Sequence, residues 1–261
     1  MGTAHPELEM TIGPIPLADG VGKEVVVRYS TGLASGGKWL TDSNGRELLE
    51  RTRDERPDYS LNLTEPQAAN MHPIQTAIAV RQHGGGGAKL TVTPDRSQAG
   101  TSLVDGQLEL LVHRRLLADD GEGAGEPLNE TESYHYTGTT IHRTGRGLMI
   151  RARHWLTVDA ADSTSGDLAA RQLAERVFAP PLVAFAASAG VLANSGGQMF
   201  AGTASLPSAV SLLTVEPQAD GAAFVRLAHK FGAHEAAGSA TSSVKVSLAT
   251  LFHTKATHAE E

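Results

Sequence analysis

Short runs of β-type residues, separated by glycines and polar turns, constrain the fold of this chain more than any other feature. Residues 89–93 alternate strictly between polar and apolar side chains, residues 24–29 are rich in valine, and residues 108–112 form a short apolar run. Such runs are typical of strands. Further strands are predicted at residues 148–158, 211–215, 223–231 and 244–248. The pattern therefore predicts an all-β fold, built as a sandwich.

Glycine and proline mark the connections between these runs. Residues 84–87 are four consecutive glycines between an apolar segment, residues 74–80, and the alternating strand at Lys89, which predicts a hairpin tip. They do not form a phosphate-binding loop, because the Lys and Ser/Thr that would end such a loop are missing. One segment differs from the rest: the spacing of leucines and alanines in residues 166–178 predicts a short helix before Pro180.

The same punctuation predicts the domain organisation. We expect a polar tail over residues 1–11 and the main sandwich over residues 12–159. A linker with the short helix follows over residues 160–180, where Ala, Ser, Thr and Asp are frequent. Residues 181–261 are expected to supply the remaining strands of the sandwich or a second small β subdomain.

Composition excludes several classes of function. The chain has 261 residues, 40% of them hydrophobic, which is enough to bury a sizeable core. Its net charge is −7 and it has no dense cluster of Lys and Arg, so no nucleic-acid partner is predicted. We find no apolar run long enough to span a membrane and no signal-peptide pattern near Met1. With no cysteine, the chain has neither disulfides nor cysteine metal sites.

Asp119 and Asp120 are the most obvious pair of carboxylates, but neighbouring residues on a strand point to opposite faces, which is poor geometry for acid/base catalysis. We interpret one aspartate as capping the turn through Gly121, Glu122 and Gly123, and the other as pairing with Arg114 or Arg115. The eleven histidines have no metal-binding spacing, and no G-x-S-x-G motif is present. We therefore assign no catalytic residue and no metal ligand.

Other polar motifs have two open interpretations. Asp42 and Asn44 before a glycine, and the neighbours Asp95 and Arg96, have the chemistry of tight turns. They stabilise the fold or, alternatively, line an interface with another domain. Trp39 and Trp155 are predicted to pack in a core or interface rather than stack on sugars. Two N-x-[ST] sequons make Asn62 and Asn129 candidate glycosylation sites.

Several strings of residues, in order along nearly the whole chain, carry a family resemblance. They are WLTDSNGRE at 39–47, DRSQAG at 95–100, LELLVHRR at 108–115, IGPIP at 12–16, NLTEP at 62–66 and VRLAHKF at 225–231. Together they resemble the C-terminal β region of the class II α-mannosidases, glycoside hydrolase family 38, closest to the lysosomal or vacuolar branch. The resemblance implies a large two-layer antiparallel β-sandwich of the galactose-mutarotase-like type.

The resemblance also implies an activity that this chain cannot perform alone. The family removes terminal α-D-mannose from glycans with retention, using an aspartate nucleophile, a carboxylic acid and a zinc ion. In relatives those groups belong to an N-terminal catalytic domain, so the implied partners are that domain, in the same or a separate chain, and mannose-containing glycans. The implied location is the lysosome or vacuole, or secretion. The alternatives are a free-standing carbohydrate-binding sandwich and a non-functional relic with an exposed apolar face.

Two loops depart from the family pattern. In the family the loop matching residues 119–128 comes near the substrate pocket and often carries an arginine where this chain has Glu122, which can only accept hydrogen bonds. At residues 132–136, plant-type relatives tend to carry a cysteine pair that this chain lacks, and we therefore expect this loop to be mobile.

Overall fold

The structure is a computed structural model that describes residues 5–45, 47–123, 125–135, 141–161, 164–180, 183, 185, 206–231 and 243–247. It divides into two compact units, residues 1–166 and 167–261. In the first unit the strands are β1 Glu7–Ile12, β2 Lys23–Ser30, β3 Lys38–Ser43, β4 Glu47–Thr52, β5 His72–Ile74, β6 Ile78–Arg81, β7 Ala88–Pro94, β8 Gln98–Thr101, β9 Gln107–Arg115, β10 Thr131–His135, β11 Ile141–Gly147 and β12 Ile150–Ala160. The helices are α1 Pro66–Ala69 and α2 Thr164–Phe178, and the second unit contains β13 Val210–Pro217 and β14 Ala223–His229.

Two antiparallel sheets form the sandwich of the first unit, and β10 and β11 form a separate two-stranded sheet. The six-stranded sheet has the order β1-β12-β7-β6-β3-β4, and the four-stranded sheet has the order β2-β9-β8-β5. Their inner faces share one core of eight buried residues, namely Trp39, Ile74, Ile78, Val80, Leu90, Val92, Leu108 and Leu110. The predicted all-β antiparallel sandwich is therefore confirmed.

Close packing of the two sheets depends on a glycine in β8. A Cβ atom added to Gly100 would lie 2.1 Å from Cδ1 of Ile74 and 2.9 Å from Cδ1 of Ile78. Both isoleucines are fully buried. These two core residues thus fill the space that a side chain at position 100 would need.

The segment expected to be a polar tail contains a strand. β1 pairs with β12 in continuous register from Glu7, opposite Trp155, to Ile12, opposite Ile150. This strand was not predicted because its polar residues hide the pattern: Glu9 lies 2.9 Å from the guanidinium of Arg153 on the neighbouring strand. Backbone pairing at a sheet edge needs no apolar sequence, and charged side chains are common there.

The apolar segment 74–80 does not form a single strand. It contributes residues to one strand in each sheet. β5 ends at Ile74 in the four-stranded sheet, and β6 begins at Ile78 in the six-stranded sheet. The turn between them is held by the carboxylate of Asp42 on β3, whose Oδ1 accepts backbone N–H groups from Gln75, at 2.8 Å, and Thr76, at 3.0 Å. A partner 33 residues away in sequence creates this break.

Three further predictions concern a helix, a loop and a strand. The helix predicted at 166–178 is confirmed as α2, and α1 was not predicted. Residues 132–135, where we expected a loop, lie in β10, which pairs with β11; their mobility stays a prediction, and Tyr136 lies outside the described residues. The prediction of a strand at 244–248 is wrong for residues 244–247, which form neither strand nor helix, and Leu248 lies outside the described residues.

The second unit contains a β-hairpin and most of α2. β13 pairs with β14 antiparallel, and Glu175 of α2 lies 2.7 Å from Nζ of Lys230. Ser211 on β13 donates a hydrogen bond to the same carboxylate. Across the described part of the chain, no helix combines the length and the apolar character that crossing a membrane requires.

Candidate functional site

The loop that follows β9 contains the site residues predicted near a substrate. Asp119 and Asp120 each form a local turn, since Oδ1 of Asp119 accepts the N–H of Gly121 at 2.9 Å and Oδ1 of Asp120 accepts that of Glu122 at 3.0 Å. All five residues from Asp119 to Gly123 are exposed. These hydrogen bonds fix the backbone of the loop tip and leave one oxygen of each aspartate facing outward.

Arg115 anchors the base of this loop. Its Nε donates to Oδ1 of Asn129 at 2.8 Å, and its Nη1 donates to the carbonyl of Ile15, also at 2.8 Å. The backbone N–H of Leu116 donates to the carbonyl of Leu128 at 3.4 Å and closes the loop. One guanidinium therefore connects the end of β9, the far end of the loop and the segment after β1.

Arg114 has a different role, because successive strand residues point to opposite faces. Its Nη2 lies 2.9 Å from the carboxylate of Glu24, directly across from it on β2. Neither Asp119 nor Asp120 forms an ion pair with Arg114 or Arg115 among the residues that the structure describes, so the predicted pairing is wrong, whereas the predicted turn cap is observed. Each aspartate accepts a backbone N–H group within its own turn instead of pairing with an arginine of β9.

Asp119 and Asp120 offer hydrogen-bond acceptors, but as adjacent residues they do not form an opposed pair of carboxyl groups. Their exposed carboxylates accept hydrogen bonds, as sugar hydroxyls require, but water competes fully at such sites. Retaining glycosidases need two carboxyl groups on opposite sides of the glycosidic bond. Asp119 and Asp120 are instead consecutive residues of one turn.

A shallow polar cleft lies on the outer side of the six-stranded sheet, with a volume of about 120 Å³. At its centre Glu50 lies 2.6 Å from Nζ of Lys38 and 3.3 Å from Nη2 of Arg81. The hydrogen bond from Lys38, assisted by Arg81, lowers the pKa of Glu50. No sequence motif marks these residues, because strand register alone brings them together. Their charges already pair with one another, so we interpret the cleft as part of the scaffold.

The predicted turn residues connect parts of the first unit. Asp42 is 2% exposed, and its Oδ2 accepts the N–H of Gly45 at 2.7 Å while Oδ1 holds the turn after β5. Asn44 adopts the left-handed backbone conformation, with φ of 51°, that this tight hairpin requires. Arg96 forms two hydrogen bonds with Asp95, each 3.0 Å long, and a third with the carbonyl of Arg151. Both motifs stabilise contacts inside the sandwich.

Sequence analysis missed a buried polar chain between the sheets. His154 on β12 is 0% exposed; its Nδ1 lies 2.8 Å from the hydroxyl of Tyr29 and its Nε2 lies 3.0 Å from Oε1 of Gln98. Burial lowers the pKa of His154 to about 4 and raises that of Tyr29 to about 12. The histidine is therefore neutral at pH 7. A signal for this burial was present in the sequence, because His154 occupies a position of β12 at which the alternation of polar and apolar residues would place an apolar side chain.

The remaining candidates occupy structural or exposed positions. Asn62 and Asn129 are both exposed, and the Oδ1 atom of Asn129 is held by Arg115. Trp39 is 1% exposed in the core, whereas Trp155 is half-buried and donates to Glu7 at 3.2 Å. His113 contacts the carbonyl of Leu148 at 3.1 Å. Within the described residues no group of three or more His, Asp or Glu side chains could hold a metal ion.

Comparison with known proteins gives a consistent result. Residues 1–122 match the family model described as "Glycosyl hydrolases family 38 C-terminal domain". The sequence is 42% identical to lysosomal alpha-mannosidase of Homo sapiens over 258 residues, which cover 97% of this chain and 24% of that protein. The Bos taurus protein of the same name is 42% identical over 253 residues, covering 95% and 24%. An alpha-mannosidase of Canavalia ensiformis is 36% identical over 259 residues, covering 96% and 25%. The chain thus spans 24–25% of the length of these relatives.

Proposed function

Because this chain carries the C-terminal domain of glycosyl hydrolase family 38, we propose that it is the β part of an α-mannosidase that removes terminal α-D-mannose from glycans. The observation that carries the proposal is the 42% identity to a lysosomal alpha-mannosidase over 97% of the chain. Local resemblance in one motif would support a shared fold only. Similarity along almost the entire chain supports a shared role in the assembled protein.

In this proposal the chain is a scaffold and a wall of the substrate pocket. We assign the nucleophile, the acid and the zinc ion to an N-terminal catalytic domain, because this chain spans only 24–25% of the length of the alpha-mannosidases that it matches. The loop from Asp119 to Leu128 is the part of this chain that we place beside the substrate. Arg115 would position that loop from its base, and the exposed carboxylates would accept hydrogen bonds from sugar hydroxyls.

We propose the lysosome or vacuole as the location, which is supported by the names of the animal relatives. Exposed Asn62 and Asn129 would then be accessible to glycosylation. The attachment would occur at Nδ2, so the bond that Oδ1 of Asn129 accepts from Arg115 is compatible with a glycan there.

The proposal is tested by isolating the native protein with an antibody against this chain. We expect hydrolysis of p-nitrophenyl α-D-mannopyranoside to co-purify, to be lost with a zinc chelator and to return with zinc. The active species should be larger than 27.3 kDa or contain a second, catalytic chain. The recombinant 261-residue chain alone should be inactive. Recovery of a lone 27.3 kDa protein without activity would instead favour the free-standing carbohydrate-binding sandwich.

A further inference from the structure

Two arginines, a histidine and a tryptophan of the first unit lie together without an acidic partner among the residues that the structure describes; we call this group the arginine cluster. Trp39 on β3 lies directly opposite Arg51 on β4, Arg56 follows in the turn after β4, and His72 begins β5. Both β4 and β5 are edge strands of their sheets. The cluster therefore lies where the open edges of the two sheets come together.

Two buried nitrogen atoms of the cluster have no hydrogen-bond partner. Trp39 is 1% exposed and His72 is 8% exposed, and both Nε1 of Trp39 and Nε2 of His72 are unpaired. Their rings meet edge to face with centroids 5.7 Å apart. Buried polar atoms are paired in the great majority of cases, so two unpaired nitrogens on neighbouring rings point to an absent hydrogen-bonding group.

The two arginines bind only neutral acceptors. Arg51 donates from Nε to the hydroxyl of Thr41 at 3.0 Å, while Arg56 donates to the carbonyls of Glu55, at 2.9 Å, and Ala69. In the part of the chain that the structure describes, neither forms an ion pair with a carboxylate. Arginines that do form such pairs are common in this unit and include Arg28, Arg81, Arg96, Arg114, Arg151 and Arg153.

Among the described residues, Asp42, Asp54 and Asp105 form no ion pair with Arg51 or Arg56 and have other hydrogen-bond partners. Arg53 also has an unpaired Nη2 atom, but its charge contributes to lowering the pKa of Asp105, so we assign it to that carboxylate. Asp54 uses Oδ1 to accept a hydrogen bond from Asn70 at 2.8 Å. The side chain of Asp42 is occupied by backbone N–H groups.

The electrostatics of the cluster show an excess of positive charge. Burial, with the charge of Arg56, lowers the pKa of Arg51. Burial, followed by the charges of Arg51 and Arg56, lowers the pKa of His72 to about 4. Cations that repel one another in a partly buried site are stabilised when an anion joins them.

We propose that the arginine cluster binds a carboxylate group. A carboxylate only accepts hydrogen bonds, can receive two from one guanidinium, and could also accept from the indole of Trp39 and the imidazole of His72. A water molecule could satisfy the two ring nitrogens but would leave the positive charge uncompensated. The carboxylate comes either from a free small molecule or from an Asp or Glu side chain of a polypeptide packed on these open edges. This inference does not depend on the proposed function.

The test uses the indole N–H of Trp39 as a reporter. The chain has two tryptophans, so Trp155→Phe leaves one indole signal in the ¹H–¹⁵N spectrum of the 261-residue protein. Sodium acetate is titrated at constant ionic strength, and acetamide, which has the same shape without the charge, is titrated in parallel. We expect a saturable downfield shift with acetate and none with acetamide.

Variants locate the binding site. Arg51→Gln should raise the Kd for acetate by about tenfold or more, since it removes a charge-assisted hydrogen-bond donor. Arg81→Gln is the matched control, because Arg81 already pairs with Glu50, and it should leave the Kd unchanged. If Arg51→Gln does not fold, as judged by thermal melting, Arg56→Gln carries the same expectation.

The outcomes distinguish the source of the carboxylate. Absence of a saturable acetate response, or an equal response to acetamide, overturns the proposal. If it holds, the titration is repeated by tryptophan fluorescence on the native protein purified from its source and on the recombinant chain. A native protein that no longer responds to acetate, while the recombinant chain does, identifies a side chain of neighbouring polypeptide as the ligand. A native protein that still responds identifies a free carboxylate.

Discussion

The hydroxyl of Tyr29 lies 2.8 Å from Nδ1 of His154 and so joins β2 of the four-stranded sheet to β12 of the six-stranded sheet. Oε1 of Gln98 accepts from the other ring nitrogen, at 3.0 Å. With a neutral ring, Nε2 donates and Nδ1 accepts, so the hydroxyl of Tyr29 and Oε1 of Gln98 each have a partner. A second proton would give Nδ1 a hydrogen where the tyrosine hydroxyl now donates.

His154 should make the stability of the sandwich sensitive to acid. Burial lowers its pKa from 6.5 to about 4, so the unfolded chain binds more protons than the folded chain between these values, and stability falls as the pH drops through that window. At pH 5 the loss relative to pH 7.5 should be about 2 kcal/mol for this residue. Urea denaturation of wild type and His154→Gln, followed by circular dichroism at both pH values, measures it.

The variant should be less stable at pH 7.5 but should lose less stability on acidification. His72, whose pKa is also lowered to about 4, leaves a residual acid dependence in both proteins. His83→Gln, at an exposed histidine, is the control and should keep the acid dependence of the wild type. Equal losses in wild type and His154→Gln would contradict the prediction.

Gly100→Ala should destabilise the first unit by about 2 kcal/mol, because the new methyl group overlaps a fully packed core. The overlap is with Cδ1 of Ile74, at 2.1 Å. Thermal and urea unfolding provide the measurement. Gly123→Ala is the control, since a Cβ there meets nothing within 4 Å.

A double variant makes this prediction sharper. Ile74→Val removes the terminal methyl group that Gly100→Ala would contact. The two substitutions together should therefore cost less stability than the sum of the single substitutions. Strict additivity would show that the loss at position 100 has a different cause.

Asp42→Ala should be among the most damaging substitutions of a single polar residue, costing about 3 kcal/mol or more. It would leave the N–H groups of Gly45, Gln75 and Thr76 without their acceptor. Asp42→Asn keeps one oxygen and should fall between wild type and Ala. Asp119→Ala is the matched control, because Asp119 is exposed and caps one turn only; a loss as large as that of Asp42→Ala would refute the distinction.

Arg115→Ala tests the placement of the loop beside the substrate, and it depends on the proposed function. In the complete mannosidase, freeing the loop from Asn129 and Ile15 should lower kcat/KM for an α-mannoside by about tenfold, as expected when positioning is lost. Arg114→Ala removes the neighbouring arginine, which pairs with Glu24 away from the loop, and should leave kcat/KM nearly unchanged. Equal effects would mean that the loop does not contact the pocket.

Local patterns predicted six of the fourteen described strands and one of the two described helices. Residues 24–29, 89–93 and 108–112 became β2, β7 and β9, and the helix at 166–178 became α2. The glycines at 84–87 lie between β6 and β7, as a hairpin tip requires. β1 was missed because its strand pairing relies on backbone hydrogen bonds and charged partners, which leave no apolar alternation to detect.

The predicted contacts of the loop were partly wrong. Sequence analysis paired an aspartate with Arg114 or Arg115, whereas Arg114 pairs with Glu24 and Arg115 binds Asn129 and Ile15. The position of the loop beside a substrate stays a prediction. The arginine cluster was not predicted at all. Its members belong to three strands and a turn, and none of them forms a recognisable motif with the others.

The sequence by itself determined the β character of this chain, the positions of six of its described strands and its similarity to glycosyl hydrolase family 38. The strands follow from periodicity and turn residues within short segments, and the family similarity follows from the order of short motifs along the chain. Only the tertiary structure decided which strands share a sheet, where the segment from Ile74 to Ile78 crosses between sheets, and which polar groups are buried. Tyr29 and His154 are 125 positions apart. Contacts at such separations follow from the pairing of whole sheets, which no local pattern encodes, and burial then decides the charge and the partners of each group.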